Sequence, residues 1–199
     1  MKAKVLLVTP PYHAGVVAAS GAWVPLALVS VAGGLVSAGY EVEIYDAMTL
    51  FVTHADIEEK IRRCRPDFVG VTAITATVND AIAVLATAKR VSSRIGTMLG
   101  GIHPTFMWKE ILEAPGSPVD FVIRGEAETT GPALLDRLTL GLSPLNIPGV
   151  AGRDEEGRAV SGPRRPDAKN LDLLPAAWRL LDWKIYSFRP RPGSISAIL

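Results

Sequence analysis

The sequence predicts an α/β protein: a doubly wound, Rossmann-like or flavodoxin-like sheet of five parallel strands with helices on both faces, followed by a β-hairpin and a Pro/Arg-rich strap. Three observations carry this. Short β-branched runs alternate with amphipathic segments along the first two thirds of the chain. Three of those runs are nearly all apolar, as strands buried on both faces must be. Strand–helix–strand order repeated in this way requires parallel strands joined by right-handed crossovers.

The strand candidates are Lys4–Thr9, Glu41–Asp46, Phe68–Thr72, Thr97–Gly100 and Phe121–Arg124. Between the first two, Pro25 suits the first turn of a helix with apolar positions Leu26, Val29 and Leu35, and Gly39 marks its end. The second helix opens with Thr53 and Asp56 in capping-box spacing, places Ile57, Ile61 and Cys64 on one face, and stops at Pro66. The third repeats the spacing with Thr77 and Asp80, and Val78, Ile82, Leu85 and Ala88 form its inner face. A short fourth helix is expected over about Met107 to Ala114, and a fifth carries Leu134, Leu135 and Leu138.

Beyond Leu142 the pattern changes. Two short runs flank an Asp-Glu-Glu-Gly turn within Gly149–Ser161, which predicts a hairpin. Five prolines from Pro163 to Pro192 and five arginines from Arg164 to Arg191 then describe a strap or linker, not a core. The last residues, Ser194 to Leu199, read as the start of another strand. The expected division is 1–145 for the sheet domain, 146–193 for hairpin and strap, and 194–199 for the first strand of a further barrel.

Composition narrows the function. In 199 residues, 21 basic side chains stand against 20 acidic ones, so no long-range field gathers a nucleic-acid backbone. No Asp, Glu, Lys or Arg occurs from Val5 to Tyr40, yet Pro10, Pro11, Gly15, Gly21 and Pro25 interrupt that stretch too often for a spanning helix or a signal peptide. The single Cys64 excludes an internal disulfide, a Cys-based zinc site and a four-thiolate cluster within these residues. A cytoplasmic protein is expected, with any redox metal arriving inside a cofactor.

In an open parallel sheet, ligands collect beyond the carboxyl ends of the strands. The loops to read are therefore Pro10-Pro11-Tyr12-His13, Asp46 to Thr49, Ala73-Ile74-Thr75-Ala76, Gly101 to Phe106 and Gly125 to Thr129. Gly100 and Gly101 either turn the chain sharply or let a ligand approach the backbone. Asp46 either holds a ligand hydroxyl or caps a turn. His13 and His103 are candidate ligands or acid–base groups, and equally simple hydrogen-bonding residues. Cys64 reads as a buried, inert thiol. Glu126 and Glu128 suit a helix N-terminus without further role. Trp23, Tyr12 and Phe106 could line a flat apolar pocket. Neither G-x-G-x-x-G nor G-x-x-x-x-G-K-[ST] follows the first strand, and a proline pair there offers no N–H groups to a diphosphate. A bulky, mostly neutral ligand fits best.

Read in order, Thr9-Pro10-Pro11, Trp23-Val24-Pro25-Leu26-Ala27, Gly39-Tyr40-Glu41-Val42, Asp46-Ala47-Met48-Thr49, Gly100-Gly101-Ile102-His103-Pro104-Thr105-Phe106-Met107 and Val122-Ile123-Arg124-Gly125-Glu126 resemble the N-terminal domain of cobalamin-dependent radical S-adenosylmethionine (SAM) proteins. The chain is most similar to the branch of anaerobic magnesium-protoporphyrin IX monomethyl ester cyclases. Against the older signature D-x-H-x-x-G, S-x-L, G-G, the pair Gly100-Gly101 matches. Thr72-Ala73-Ile74 stands for S-x-L, with 25 residues between Ile74 and Gly100. The first element departs: Pro11 occupies the Asp position and Gly15 comes one residue early.

The resemblance implies cobalamin (vitamin B12) bound with its nucleotide tail between strands, and no dependable histidine ligand to cobalt, since the Asp that would orient His13 is missing. It implies Thr72 and Thr75 on the tail, Gly100 and Gly101 against it, and the loop Pro10, Pro11, Tyr12, His13 under the corrin ring. Asp46, Ile74, His103, Arg124, Gly125 and Glu126 complete the implied cofactor set. It also implies a radical SAM barrel, in cis or as a partner chain, carrying S-adenosylmethionine and a [4Fe–4S] cluster, and a tetrapyrrole or similar substrate for cyclase or methyltransferase chemistry. The alternatives are a stand-alone corrinoid-binding or sensing module and a flavodoxin-like nucleotide-binding domain. A valine at Gly101 is expected to fill the ligand's place while leaving the fold largely intact.

Overall fold

Seven strands form one sheet in the computed structural model, which describes residues 2–12, 23–166 and 170–186. Five are parallel: β1 (Lys4–Thr9), β2 (Glu41–Asp46), β3 (Phe68–Thr72), β4 (Gly96–Gly100) and β5 (Phe121–Ile123), in spatial order 2-1-3-4-5. The hairpin does not stand apart from them, which corrects the expected strand count. Strand β6 (Val150–Arg153) pairs antiparallel with β5, and β7 (Ala159–Ser161) pairs with β6. The three-residue β5 has an open side, and the hairpin satisfies those backbone groups.

From β1 the chain steps outward to β2 and then returns past β1 to β3, so the order reverses between β1 and β3. Register brings Thr9 beside Asp46 and Thr72 beside Gly100 at one edge. This is the edge at which a doubly wound sheet opens a crevice.

Alternation along the strands divides the core. Leu6, Val8, Val69, Val71, Leu99 and Val122 face three helices, α2 (His54–Cys64), α3 (Val78–Val91) and α4 (Ile102–Glu113). Val5, Leu7, Met98 and Ile123 face the other two, α1 (Leu26–Ser37) and α5 (Thr130–Thr139). Residues two apart on a strand share a face, so each strand serves both layers.

Helix ends follow local chemistry. At α2 the predicted capping box forms: the Asp56 N–H donates to Thr53 Oγ1 at 3.3 Å, and the Thr53 N–H donates to Asp56 Oδ2 at 2.7 Å. At α3 it does not. The Thr77 hydroxyl is turned back to the loop, accepting from the Ile74 N–H at 3.1 Å, and Asp80 stands 3.6 Å from His54 Nε2. The fourth helix starts five residues earlier than expected, with Gly101 as its cap. Pro104 fits because the first turn needs no intrahelical N–H, and Met107 marks a kink.

The strap also departs from expectation, because part of it is core. Ala177, Leu181 and Tyr186 are buried, and the Ala177 N–H donates to the Val29 carbonyl at 3.0 Å. Leu181 and Tyr186 pack with Val24 and Val29, and the rings of Trp178 and Trp183 stack at 5.9 Å. Gly33 permits this: a β-carbon there would lie 2.0 Å from the Pro175 carbonyl oxygen. The expected strand at 194–199 lies outside the described residues.

Candidate functional site

A cavity of about 450 Å³ opens at the carboxyl edge and runs down between the sheet and the helices α1 and α5. Its sheet wall is made by Leu7, Gly70, Met98 and Ile123, and its helix wall by Leu28, Val31, Leu35 and Leu135. The mouth is formed by Thr72, Gly100, Gly101, Ile102, Thr105, Phe106 and Gly125. Glycines on both walls, Gly70 in β3 and Gly131 in α5, withhold side chains that would otherwise fill the space.

The two glycines at the end of β4 do different things. Gly101 has φ +102° and ψ −178°, a region open essentially to glycine alone. A β-carbon on it would lie 2.5 Å from the Ala73 carbonyl oxygen and 2.9 Å from Thr72 Oγ1. A valine at Gly101 would therefore break the turn, contrary to expectation. Gly100 is the open one: among the described residues, its chain neighbours aside, the only atom within 4 Å of a would-be β-carbon is the Ile123 carbonyl oxygen at 3.9 Å.

Thr105 ties the two mouth loops together. Its hydroxyl donates to the Gly101 carbonyl at 2.8 Å and accepts from the Gly125 N–H at 2.9 Å. Glu128 lines the same cavity, and its Oε2 is buried with no hydrogen-bond partner among the described residues. Around the mouth, Phe106 is 74% exposed and Ile102 63%, which leaves an apolar rim.

Of the residues singled out in the sequence, Thr72, Gly100, Gly101, Phe106, Gly125, Glu126 and Glu128 line the cavity. Arg124, Gly125 and Glu126 line a second hollow beside it. The others lie elsewhere along the edge. Pro10 and Pro11 are buried, and the Tyr12 N–H donates to the Pro10 carbonyl at 2.8 Å. His13 lies outside the described residues. Thr75 Oγ1 and His103 Nδ1 are 3.1 Å apart, away from the cavity lining, and Ile74 points outward.

Asp46 is 4% exposed and caps the turn after β2, accepting from the Thr9 hydroxyl at 2.7 Å and the Thr49 N–H at 3.2 Å. Its Oδ2 is buried without a hydrogen bond of normal geometry. The phenol of Tyr186 is held above the usual tyrosine range by burial first and by the nearby Asp46 charge second. Cys64 is half-buried, with Sγ 3.4 Å from Glu43 Oε2; burial, then that carboxylate, push the thiol up.

Sequence reasoning gave no site role to Gly70, Thr105, Glu128, Gly131 or the α1 wall. A glycine inside an otherwise β-branched strand is a signal of close approach that could have found Gly70. Nothing local distinguishes Val31 or Leu35 from ordinary core residues.

Residues 12–135 match the family described as B12 binding domain. The chain is 36% identical over 192 residues to the anaerobic magnesium-protoporphyrin IX monomethyl ester cyclase of Rubrivivax gelatinosus, covering 94% of this chain and 34% of that protein. It is 32% identical to an uncharacterized methyltransferase of Pyrococcus horikoshii, covering 86% and 37%. The chain thus spans about a third of the length of the curated relatives it matches.

Among solved structures it is similar in fold to the cobalamin-dependent SAM radical enzyme OxsB with aqua-cobalamin and S-adenosylmethionine bound. The TM-score is 0.74 at 16% identity, over 88% of this chain and 24% of that one. It is also similar to the radical SAM methyltransferase TsrM of Kitasatospora setae with cobalamin and a [4Fe–4S] cluster bound. There the TM-score is 0.68 at 21% identity, over 88% and 31%. No helix among the described residues is long and apolar enough to cross a membrane. With more than half of its length matched, strand order reversing beside the cavity and a glycine pair at its mouth, the chain belongs to the B12-binding domain family.

Proposed function

We propose that this chain holds cobalamin at the carboxyl edge of its sheet, as the cofactor-binding part of a radical SAM enzyme acting on a tetrapyrrole or similar substrate. The observation that carries the reading is the glycine-mouthed apolar cavity inside the span that matches the family. Its lining suits an uncharged aromatic base, and the exposed Ile102 and Phe106 at the mouth suit the face of a flat macrocycle.

Residue by residue, Gly100 gives the tail access to the strand end, while Gly101 and Thr105 hold the mouth open. Leu7, Gly70 and Met98 form the sheet wall against the base, and Leu28, Val31 and Leu35 form the opposite one. Thr72, at the mouth, hydrogen-bonds the tail in this reading. When bound, cobalamin supplies a cobalt centre that takes and releases a carbon group or an electron; the protein binds and orients it. The barrel with its cluster and S-adenosylmethionine would lie in cis or on a partner chain. The relatives named as cyclases support the tetrapyrrole class. A cytoplasmic setting keeps Cys64 reduced.

The test is titration of the purified chain with hydroxocobalamin, followed by the visible spectrum and by co-elution in gel filtration. One-to-one retention is expected. A folded protein that retains no corrinoid would sink the reading. Nitrogen ligation to cobalt that disappears in His13→Ala or His103→Ala would overturn the absence of a histidine ligand.

A further inference from the structure

Beside the mouth of the cavity lies a second hollow of about 470 Å³, lined by Thr105, Phe106, Arg124, Gly125, Glu126, Gly149, Arg164, Arg165 and Pro166. It shares Thr105, Phe106, Gly125 and Glu126 with the first, so a ligand leaving one enters the other. Its chemistry is opposite: three guanidinium groups face one carboxylate, in a chain whose whole formal charge is +1.

Two of the arginines are already held. Arg124 donates from Nη1 to Ser161 Oγ at 2.7 Å and lies 5.2 Å from the centre of the Trp108 ring. Arg165 bridges Glu126 at 3.2 Å and Thr129 Oγ1 at 2.8 Å, with its side chain 12% exposed. These two are therefore fixed walls that set a local positive potential. Arg164 differs, being exposed with no ion pair or hydrogen bond among the described residues. A free guanidinium at a concave site with a surplus of positive charge is a seat for an oxyanion.

Resting on the cofactor reading above, we infer that Arg164 binds the phosphodiester of the cobalamin tail as the tail passes from the apolar cavity through the mouth at Gly125. Cobalamin carries that charge between its corrin ring and its base. The apolar cavity has no cation to receive it, whereas the hollow next door has three. Arg164 belongs to the strap, so the strap takes part in holding the cofactor.

The experiment compares wild type, Arg164→Ala and Arg164→Glu by equilibrium titration with hydroxocobalamin and with cobinamide, which keeps the corrin ring and lacks the nucleotide and its phosphate. Cobalamin affinity should fall about tenfold in Arg164→Ala, as loss of one charge-assisted hydrogen bond implies, and further in Arg164→Glu. Cobinamide affinity should move less than about twofold, and added salt should narrow the cobalamin difference. Equal losses for both corrinoids, or unchanged cobalamin binding by Arg164→Ala, would overturn the inference while leaving the cofactor reading in place. A folded wild type that binds neither corrinoid would overturn both. Inorganic phosphate titrated in the absence of corrinoid supplies the remaining arm. Binding that depends on Arg164, joined with cobalamin affinity that does not, would assign the hollow to a free anion and reject the cofactor's phosphate.

Discussion

The α-carbon of Gly101 packs against the Ala73 peptide so closely that a β-carbon would stand 2.5 Å from the Ala73 carbonyl oxygen and 2.8 Å from its nitrogen. That oxygen also accepts the His103 N–H at 3.3 Å, and the Ala73 N–H donates to the Gly100 carbonyl at 2.9 Å. The ends of β3 and β4 are thereby locked to each other, and the first turn of α4 with them. The shape of the cavity mouth depends on this lock.

The glycine pair should separate into a folding position and a binding position. Gly101→Ala is expected to cost at least about 1–3 kcal/mol from backbone strain alone, before the clash is added. Urea unfolding measures it. Gly100→Val is expected to fold normally, since valine suits a strand, and to lose cobalamin affinity by at least about tenfold because its methyl groups enter the mouth. A Gly100→Val protein that is folded and binds cobalamin as tightly as wild type would falsify the placement of the tail.

Gly33→Ala should detach the strap from α1. Alanine favours a helix over glycine by about 1 kcal/mol, so the helix itself gains. The new methyl group, however, would sit 2.0 Å from the Pro175 carbonyl oxygen. The expected result is faster proteolysis within 170–186 and altered tryptophan fluorescence, because Trp178 and Trp183 leave their packed positions. Unchanged cleavage and emission would mean that the strap yields without losing its seat.

Removing the α2 cap has a smaller, purely local effect. Thr53→Ala deletes the hydroxyl half of a reciprocal pair, and a drop in Tm of about 2–4 °C is expected for a domain of this size. The equivalent change at the start of α3, Asp80→Ala, should not show the loss of a cap, because Asp80 makes no capping bond to Thr77. Thermal melts of the two variants side by side check this.

Alkaline pH should weaken the fold through Tyr40. Burial first, and the hydrogen bond to Asp136 at 2.6 Å second, push this phenol up to about 12. A pKa raised on folding gives stability that is complete below the ordinary value of 10.0 and is lost as pH climbs through about 12. Tyr186 is shifted the same way. Unfolding midpoints measured across this window should fall in wild type and fall less steeply in Tyr40→Phe, with the remaining slope owed in part to Tyr186.

The parallel strands and their helices were legible because both signals are local. A β-branched run such as Lys4–Thr9 or Phe68–Thr72 announces a strand wherever it packs, and the Thr53/Asp56 spacing announces a cap that forms from four consecutive residues. The glycine pair was legible as a place where backbone must come close. What the same local grammar could not decide was which partner a group takes. Thr77 and Asp80 have the same spacing as Thr53 and Asp56, yet Thr77 turns to Ile74 because the loop after β3 offers it a nearer bond.

By itself, then, the sequence determined the fold class, the edge at which the cavity opens and the resemblance to cobalamin-binding domains, since each is written in short-range periodicity or in ordered motifs. Tertiary structure alone decided the cavity between sheet and α1, the joining of the hairpin to β5, the burial of Tyr186 beside Asp46 and the meeting of Arg124, Arg164 and Arg165 around one hollow. Those relations join residues far apart in the chain, and their distances are set by how helices and sheet pack, which no local pattern encodes.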